Sequence, residues 1–228
     1  MVSDKSRKKA TRSGLAIAGA LAAFFSVVST VPAYATHYWS GWYWDEDNHS
    51  EEFDNGEVPF AFDTFDLGFN LPRASGTSIT DIYTCMNNAI DEWDAETDAA
   101  AKRKDNTSFF HDNVIGTADL ADGQIAVTNL FTHGSDDHLI RAPIDFNSDD
   151  YIWDCGDDDA GSQTVDTYAV LLHELGHALV GLCDTYPDHE EFGDCTDFTT
   201  TGSIMWSYEY GDSVFLHAHD IDTADTVY

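Results

Sequence analysis

Between Tyr168 and Leu182 the side chains are Tyr, Ala, Val, Leu and Gly, with three exceptions: His173, Glu174 and His177. A helix apolar nearly all round is a buried one, and burying three ionisable groups is costly unless something pairs with them. A divalent metal does so. Positions i and i+4 lie one above the other on a helix, so His173 and His177 can offer two imidazole nitrogens to one zinc ion. Glu174 points about a third of a turn away, beside a water that zinc would activate, where its carboxylate can take the proton as general base. HExxH also arises by chance, and a histidine pair on a surface helix is usually just solvated. The apolar surroundings argue against that reading here and favour metal-assisted hydrolysis of a peptide bond.

A catalytic zinc takes three protein ligands and keeps one open position. Beyond the two histidines the stretch LLHELGHALVGLCD and the residues after it offer Cys183, Asp184, Asp188 and His189. Thiolate is a strong zinc ligand, but a set of three firm ligands that includes sulfur would be unusual for a peptidase, and a Cys183 to Cys195 disulfide would remove it. His133 and His138 lack the carboxylate spacing of a second zinc site and read as loop. His217 and His219 stand near a helix cap, where facing solvent is the better reading than lining a cleft.

The elements that position these residues are legible in outline. Thr164 or Asp166 can cap the helix that carries the histidines. Upstream, SITDIYTCMNNAIDEWDAET places Ile79, Ile82, Tyr83, Met86, Ile90 and Trp93 at the three-and-four spacing of one helix face. VPFAFDTF, TSFFHDNVIGT, GQIAVTNLFT and HLIRAPIDFN are short β-branched and aromatic runs that predict strands and hairpin connections, and THYWSGWYWDED predicts an extended arm or first edge strand. A loop-rich segment runs from Thr185 to about Val214, and HAHDIDTADTVY predicts a short closing helix with Ile221, Ala224 and Tyr228 inward. Together they predict an α/β or α+β domain split by a cleft.

Lys5, Arg7, Lys8, Lys9 and Arg12, the apolar run from Gly14 to Val31 and small residues at Ala33 to Ala35 are the pattern of a secretory signal, residues 1–35, cleaved before Thr36. An uncleaved membrane anchor is the rival reading. Residues 36–75 then form an N-terminal arm and first strand, and 76–228 the zinc-binding domain. Removing the signal leaves 41 acidic against 5 basic side chains. Nucleic acid and anionic membranes are excluded as partners by like charge, whereas solubility in concentrated salt is favoured. The chain is expected to be secreted, extracellular and monomeric. DCGDDDAGS could hold calcium through hard oxygens, although it lacks a regular calcium-loop spacing and reads better as a solvated loop. The four cysteines allow three connectivities; the short Cys183 to Cys195 interval favours that pair, leaving Cys85 with Cys155.

With these residues in view, the sequence resembles the metzincin clan of zinc peptidases, and most of all its matrixin-like and small snapalysin-like secreted members. Their helix continues as HExxHxxGxxH or HExxHxxGxxD, the glycine turning the chain back to the metal. Here the tenth residue after His173 is Cys183, the glycine falls at 181, and Asp184 is the eleventh, so one inserted residue, Val180, restores the pattern. The resemblance therefore implies His173, His177 and Asp184 as zinc ligands and Glu174 as catalytic base. GSIMWSY resembles the clan's Met-turn, with Met205 beneath the ligands; Ser207 stands where some members have Tyr, and Tyr208 comes one residue late. AIDEWDA, IDFNSDDYIW and HDIDTADTVY resemble the first helix, the strand and loop before the zinc helix, and the closing helix. The implied fold is α+β: a twisted, mostly parallel sheet with two helices, a cleft, and a small irregular C-terminal lobe with a final helix. The implied function is a secreted zinc endopeptidase acting on a protein or peptide laid along an edge strand, GQIAV. The alternative is a non-catalytic acidic zinc-binding surface or matrix protein on the same fold, against which Glu174 speaks.

Overall fold

The computed structural model describes Trp44 and residues 57–104, 113–132, 139–156, 163–182, 204–205 and 215–227. All belong to one compact unit, Ala33–Tyr228. The elements are β1 (Glu57–Phe62), α1 (Thr64–Asn70), α2 (Ile79–Glu96), β2 (Ala100–Arg103), β3 (Val114–Ala118), β4 (Ala126–Thr128), β5 (Phe131–Thr132), β6 (Leu139–Arg141), β7 (Ile144–Asn147), β8 (Ile152–Asp154), β9 (Thr164–Asp166), α3 (Thr167–Val180) and α4 (Ala218–Val227).

The main sheet has five strands in the order β2-β1-β3-β7-β4. β1 runs parallel to β2 and β3, and β3 parallel to β7. Only β4 is antiparallel, pairing Ala126, Val127 and Thr128 with Phe146, Asp145 and Ile144. The mixed α/β content and the mostly parallel sheet agree with the fold class expected from the sequence. Parallel strands buried on both faces read as apolar runs, and β1 does so: Val58, Phe60, Ala61 and Phe62 are all buried.

α2 forms where the spacing predicts. Ser78 and Asp81 make a reciprocal capping box, and Ile82, Cys85, Met86, Ala89, Ile90 and Trp93 are its buried face. Tyr83 and Ile79 pack at the margin of that face. α3 starts at Asp166, whose carboxylate accepts from the Tyr168 amide, and ends at Gly181 with φ 60 and ψ 31. That left-handed conformation is one in which a residue with a Cβ is strained, so the glycine sets where the helix stops. α2 and α3 pack together against the sheet. Trp93 sends its indole N–H 2.9 Å to the Leu172 carbonyl of α3. Cys85 of α2 and Cys155 beyond β8 form a disulfide with a Cα separation of 5.9 Å, the pairing expected by elimination. Cys183 and Cys195 lie outside the described residues.

Several elements differ from expectation. DTF does not extend the first strand; Asp63 ends it and caps α1, accepting from the Phe65 and Asp66 amides. GQIAVTNLFT divides into β4 and β5, and HLIRAPIDFN into β6 and β7. α1, β2, β8 and β9 are additional to the expected elements. Of the aromatic arm only Trp44 is described, buried and in no strand, its indole N–H 2.9 Å from the Ala178 carbonyl. Tyr228 lies outside the described residues, while Ala224 of α4 is fully buried and Ile221 packs against the core.

Candidate metal centre

α3 carries the centre and is buried along its length: Ala169, Val170, Leu171, Leu172, Leu175, Ala178, Leu179 and Val180 have no exposed surface. Its neighbours hold it at several points. Besides the Trp93 and Trp44 indoles, the Thr167 hydroxyl donates to the Asp154 carbonyl at 2.7 Å, and the Tyr168 hydroxyl donates to the Glu92 carboxylate. Burial, and then the bond to Glu92, push the Tyr168 phenol far above its ordinary pKa, so the donor keeps its proton. The helix is thus fixed in rotation and along its axis.

On that helix His173 and Glu174 are only 2% and 3% exposed. His173 Nδ1 lies 2.7 Å from the Ile204 carbonyl, and His177 Nδ1 lies 2.5 Å from the Leu182 carbonyl. A carbonyl oxygen only accepts, so these partners assign the proton to Nδ1 on both rings and turn each Nε2 lone pair inward. The two Nε2 atoms are 3.1 Å apart, with the rings at 81° to one another. Two lone pairs that close repel unless a cation, a proton or a metal ion, is shared between them. Two metal–nitrogen bonds of about 2.0–2.1 Å can span that distance, and carbonyl partners on the far nitrogens are what zinc-bound histidines have. This pair of nitrogens is of the kind zinc accepts.

Two further groups complete the described part of the centre. Thr128 of β4 sends its hydroxyl to Glu174 Oε2 at 2.6 Å. Met205, fully buried, lies against the helix at Gly176: a Cβ at that glycine would overlap the Met205 sulfur, with Met205 Cε at 3.3 Å and Leu182 Cδ1 at 3.4 Å. Buried Asp220 of α4 fastens the Ile204–Met205 turn, accepting from the Ile204 amide at 3.2 Å and the His217 amide at 2.9 Å.

No family model matches this chain, and no curated protein does either.

The structure brings the rings of His173 and His177 together, with Glu174 on the same helix and bonded to Thr128. Asp184 lies outside the described residues, as do Cys183, Asp188 and His189, and likewise His133, His138, Ser207, Tyr208 and most of DCGDDDAGS. Accordingly, among the described residues no group of three or more His, Cys, Asp or Glu side chains gathers to hold a metal. His217 is half-buried with its ring 4.7 Å from Phe215, so it does not simply face solvent; the His219 side chain is outside the described set. Among the described residues no helix is long and apolar enough to cross a membrane.

Sequence reasoning missed Thr128, the carbonyls of Ile204 and Leu182, and the Gly176–Met205 contact. The first two depend on strand register and loop return, which no local pattern carries. The third had a signal: a glycine inside a helix is disfavoured by about 1 kcal/mol relative to alanine, so Gly176 between Leu175 and His177 asks for a close neighbour.

Proposed function

We propose that this chain is a zinc-dependent endopeptidase of the metzincin kind, secreted after removal of residues 1–35, with His173, His177 and Asp184 holding the metal. The observation that carries the proposal is the pair of imidazoles, His173 buried and His177 half-buried, whose Nε2 atoms face each other at 3.1 Å, each anchored through Nδ1 to a carbonyl, with Glu174 next to His173 in the chain. Zinc, when bound, supplies Lewis acidity that lowers the pKa of a water and polarises the scissile carbonyl. The protein does the rest. The Ile204 and Leu182 carbonyls accept the Nδ1–H of His173 and His177, which orients each ring with Nε2 turned inward. Glu174 accepts the proton of the attacking water and passes it to the departing amine. Among the described residues no strand pairs with the outer side of β4, and its main-chain groups there suit an extended peptide.

The turn after α3 supports Asp184 as third ligand. Gly181 reverses the chain, and the Leu182 carbonyl already touches His177 two residues before Asp184. Val180, the extra residue relative to the HExxHxxGxxD pattern, is the last residue of α3 and fully buried, so the insertion lengthens the helix and leaves the glycine to make the turn.

Metal analysis of Asp184→Ala and Cys183→Ala, alongside casein cleavage with and without a chelator, tests this proposal. Loss of zinc in the first variant but not the second, and chelator-sensitive cleavage by the parent chain, are expected. Zinc retained in Asp184→Ala and lost in Cys183→Ala would overturn the ligand set.

A further inference from the structure

We propose that Thr128 is a positioning residue for Glu174, holding the base from the strand that an extended substrate would join; this rests on the peptidase reading above. Thr128 meets the site twice. Through its side chain, the hydroxyl lies 2.6 Å from Glu174 Oε2 and 3.1 Å from the Glu174 carbonyl oxygen. A threonine has one hydroxyl hydrogen, and the shorter contact has the length of about 2.5–2.7 Å typical of a bond to a charged carboxylate. The hydrogen therefore goes to Oε2, and proton transfer falls to Oε1. Threonine is stiff at χ1, and its Cα is fixed by pairing with Ile144 of β7. It is a rigid peg, whereas glutamate alone on a helix has three side-chain torsions to settle.

Through its main chain, Thr128 belongs to the side of β4 on which no described strand pairs. The Ile125 carbonyl accepts from the Asn147 amide and the Asn129 amide donates to the Pro143 carbonyl, both at 2.9 Å. Residues 125 and 129 thus point their backbone groups toward β7. Backbone groups alternate with a period of two along a strand, so those of Ala126 and Thr128 point the other way. β4 is the last strand of its sheet, and no described strand pairs on that side. A peptide adding itself as a further strand would bond to the N–H and C=O of the residue whose hydroxyl holds the base. One residue then serves both ends: its main chain faces the added strand, and its hydroxyl holds Glu174 in place beforehand.

The test uses the full chain purified with its zinc, as Thr128→Val, which keeps the shape and removes the hydroxyl, and Thr128→Ser, which keeps the hydroxyl. Thr128→Val should lower kcat about 10²-fold, the cost of a base misplaced by about 1 Å, while KM stays within about twofold. Zinc content should be unchanged, and Thr128→Ser should recover kcat to within about threefold of the parent. In the metal-free protein, three-bond couplings of the Glu174 side chain should report one rotamer in the parent and in Thr128→Ser, and averaging in Thr128→Val. Parental kcat in Thr128→Val, an equal loss in Thr128→Ser, or a single rotamer retained in Thr128→Val would overturn the proposal. A zinc-loaded parent that cleaves no peptide would overturn the peptidase reading instead, and the couplings would still decide whether Thr128 positions Glu174.

Discussion

Gly176 lies one residue before His177, and the Met205 sulfur occupies the space that a side chain there would need. The thioether is thereby pressed onto the helix backbone between the two histidines, while the Ile204 carbonyl beside it orients His173. Gly176→Ala gains about 1 kcal/mol of helix propensity but overpacks the core at a cost of about 1–3 kcal/mol, so a net loss of stability is expected by chemical denaturation. In a Met205→Ala background the same substitution should become stabilising. A stabilised single variant would show that Met205 does not pack there. Residue by residue, the histidines and Glu174 were legible because a helix turns i and i+4 into neighbours, which needs no knowledge of the rest of the chain. Thr128 was illegible because its meeting with Glu174 depends on β4 pairing with β7 in one register and on α3 crossing that face.

The helices were more legible than the sheet. α2 announced its buried face from Ile82 to Trp93 by spacing, and α3 its burial by composition. α1 did not, since Phe65 and Phe69 are 70% and 75% exposed and lie against one another, tilted by 43° at 4.7 Å, instead of entering the core. β2, AAKR, has none of the β-branched residues that mark a strand and is held by pairing with β1. Strand order is set by contacts distant in sequence, and it brings acids together that lie far apart in the chain. Asp145 of β7, opposite Val127 of β4, comes close to Asp66 of α1 beneath Gly116. Burial first, and then the Asp66 charge, hold the Asp145 carboxyl above its ordinary pKa of 3.8. The folded form therefore binds this proton more tightly than the unfolded one. Its contribution to stability is fully present below the unfolded value and is lost as pH rises through the folded value. Asp145→Asn, which keeps an oxygen for the Asn129 amide now 3.3 Å away, should remove that slope and raise stability at neutral pH. Equal stability profiles for parent and variant from pH 3 to 7, measured by urea denaturation, would contradict this.

The whole molecule is dominated by its charge: 42 acidic residues against 10 basic, half of the basic ones within the first twelve positions. The five remaining basic side chains are Arg73, Lys102, Arg103, Lys104 and Arg141, and Lys102 is paired with Glu57. Self-repulsion on this scale destabilises the compact state and is screened as the Debye length falls from about 10 Å at 0.1 M salt to about 3 Å at 1 M. Tm should therefore climb with sodium chloride over that range, and a flat or falling Tm would show that the acidic surface is already compensated by bound cations. The same surface disfavours polyanionic substrates by like charge. What the chain does turns on Glu174, which a purely structural zinc site has no use for. The decisive comparison is the rate of casein hydrolysis by the zinc-loaded chain and by Glu174→Gln carrying the same amount of zinc. The parent should cleave and the variant should be slower by about 10²–10⁴-fold, the contribution of a positioned general base. A zinc-loaded parent that leaves casein and a broad peptide panel intact, or a variant that cleaves as fast as the parent, would contradict it.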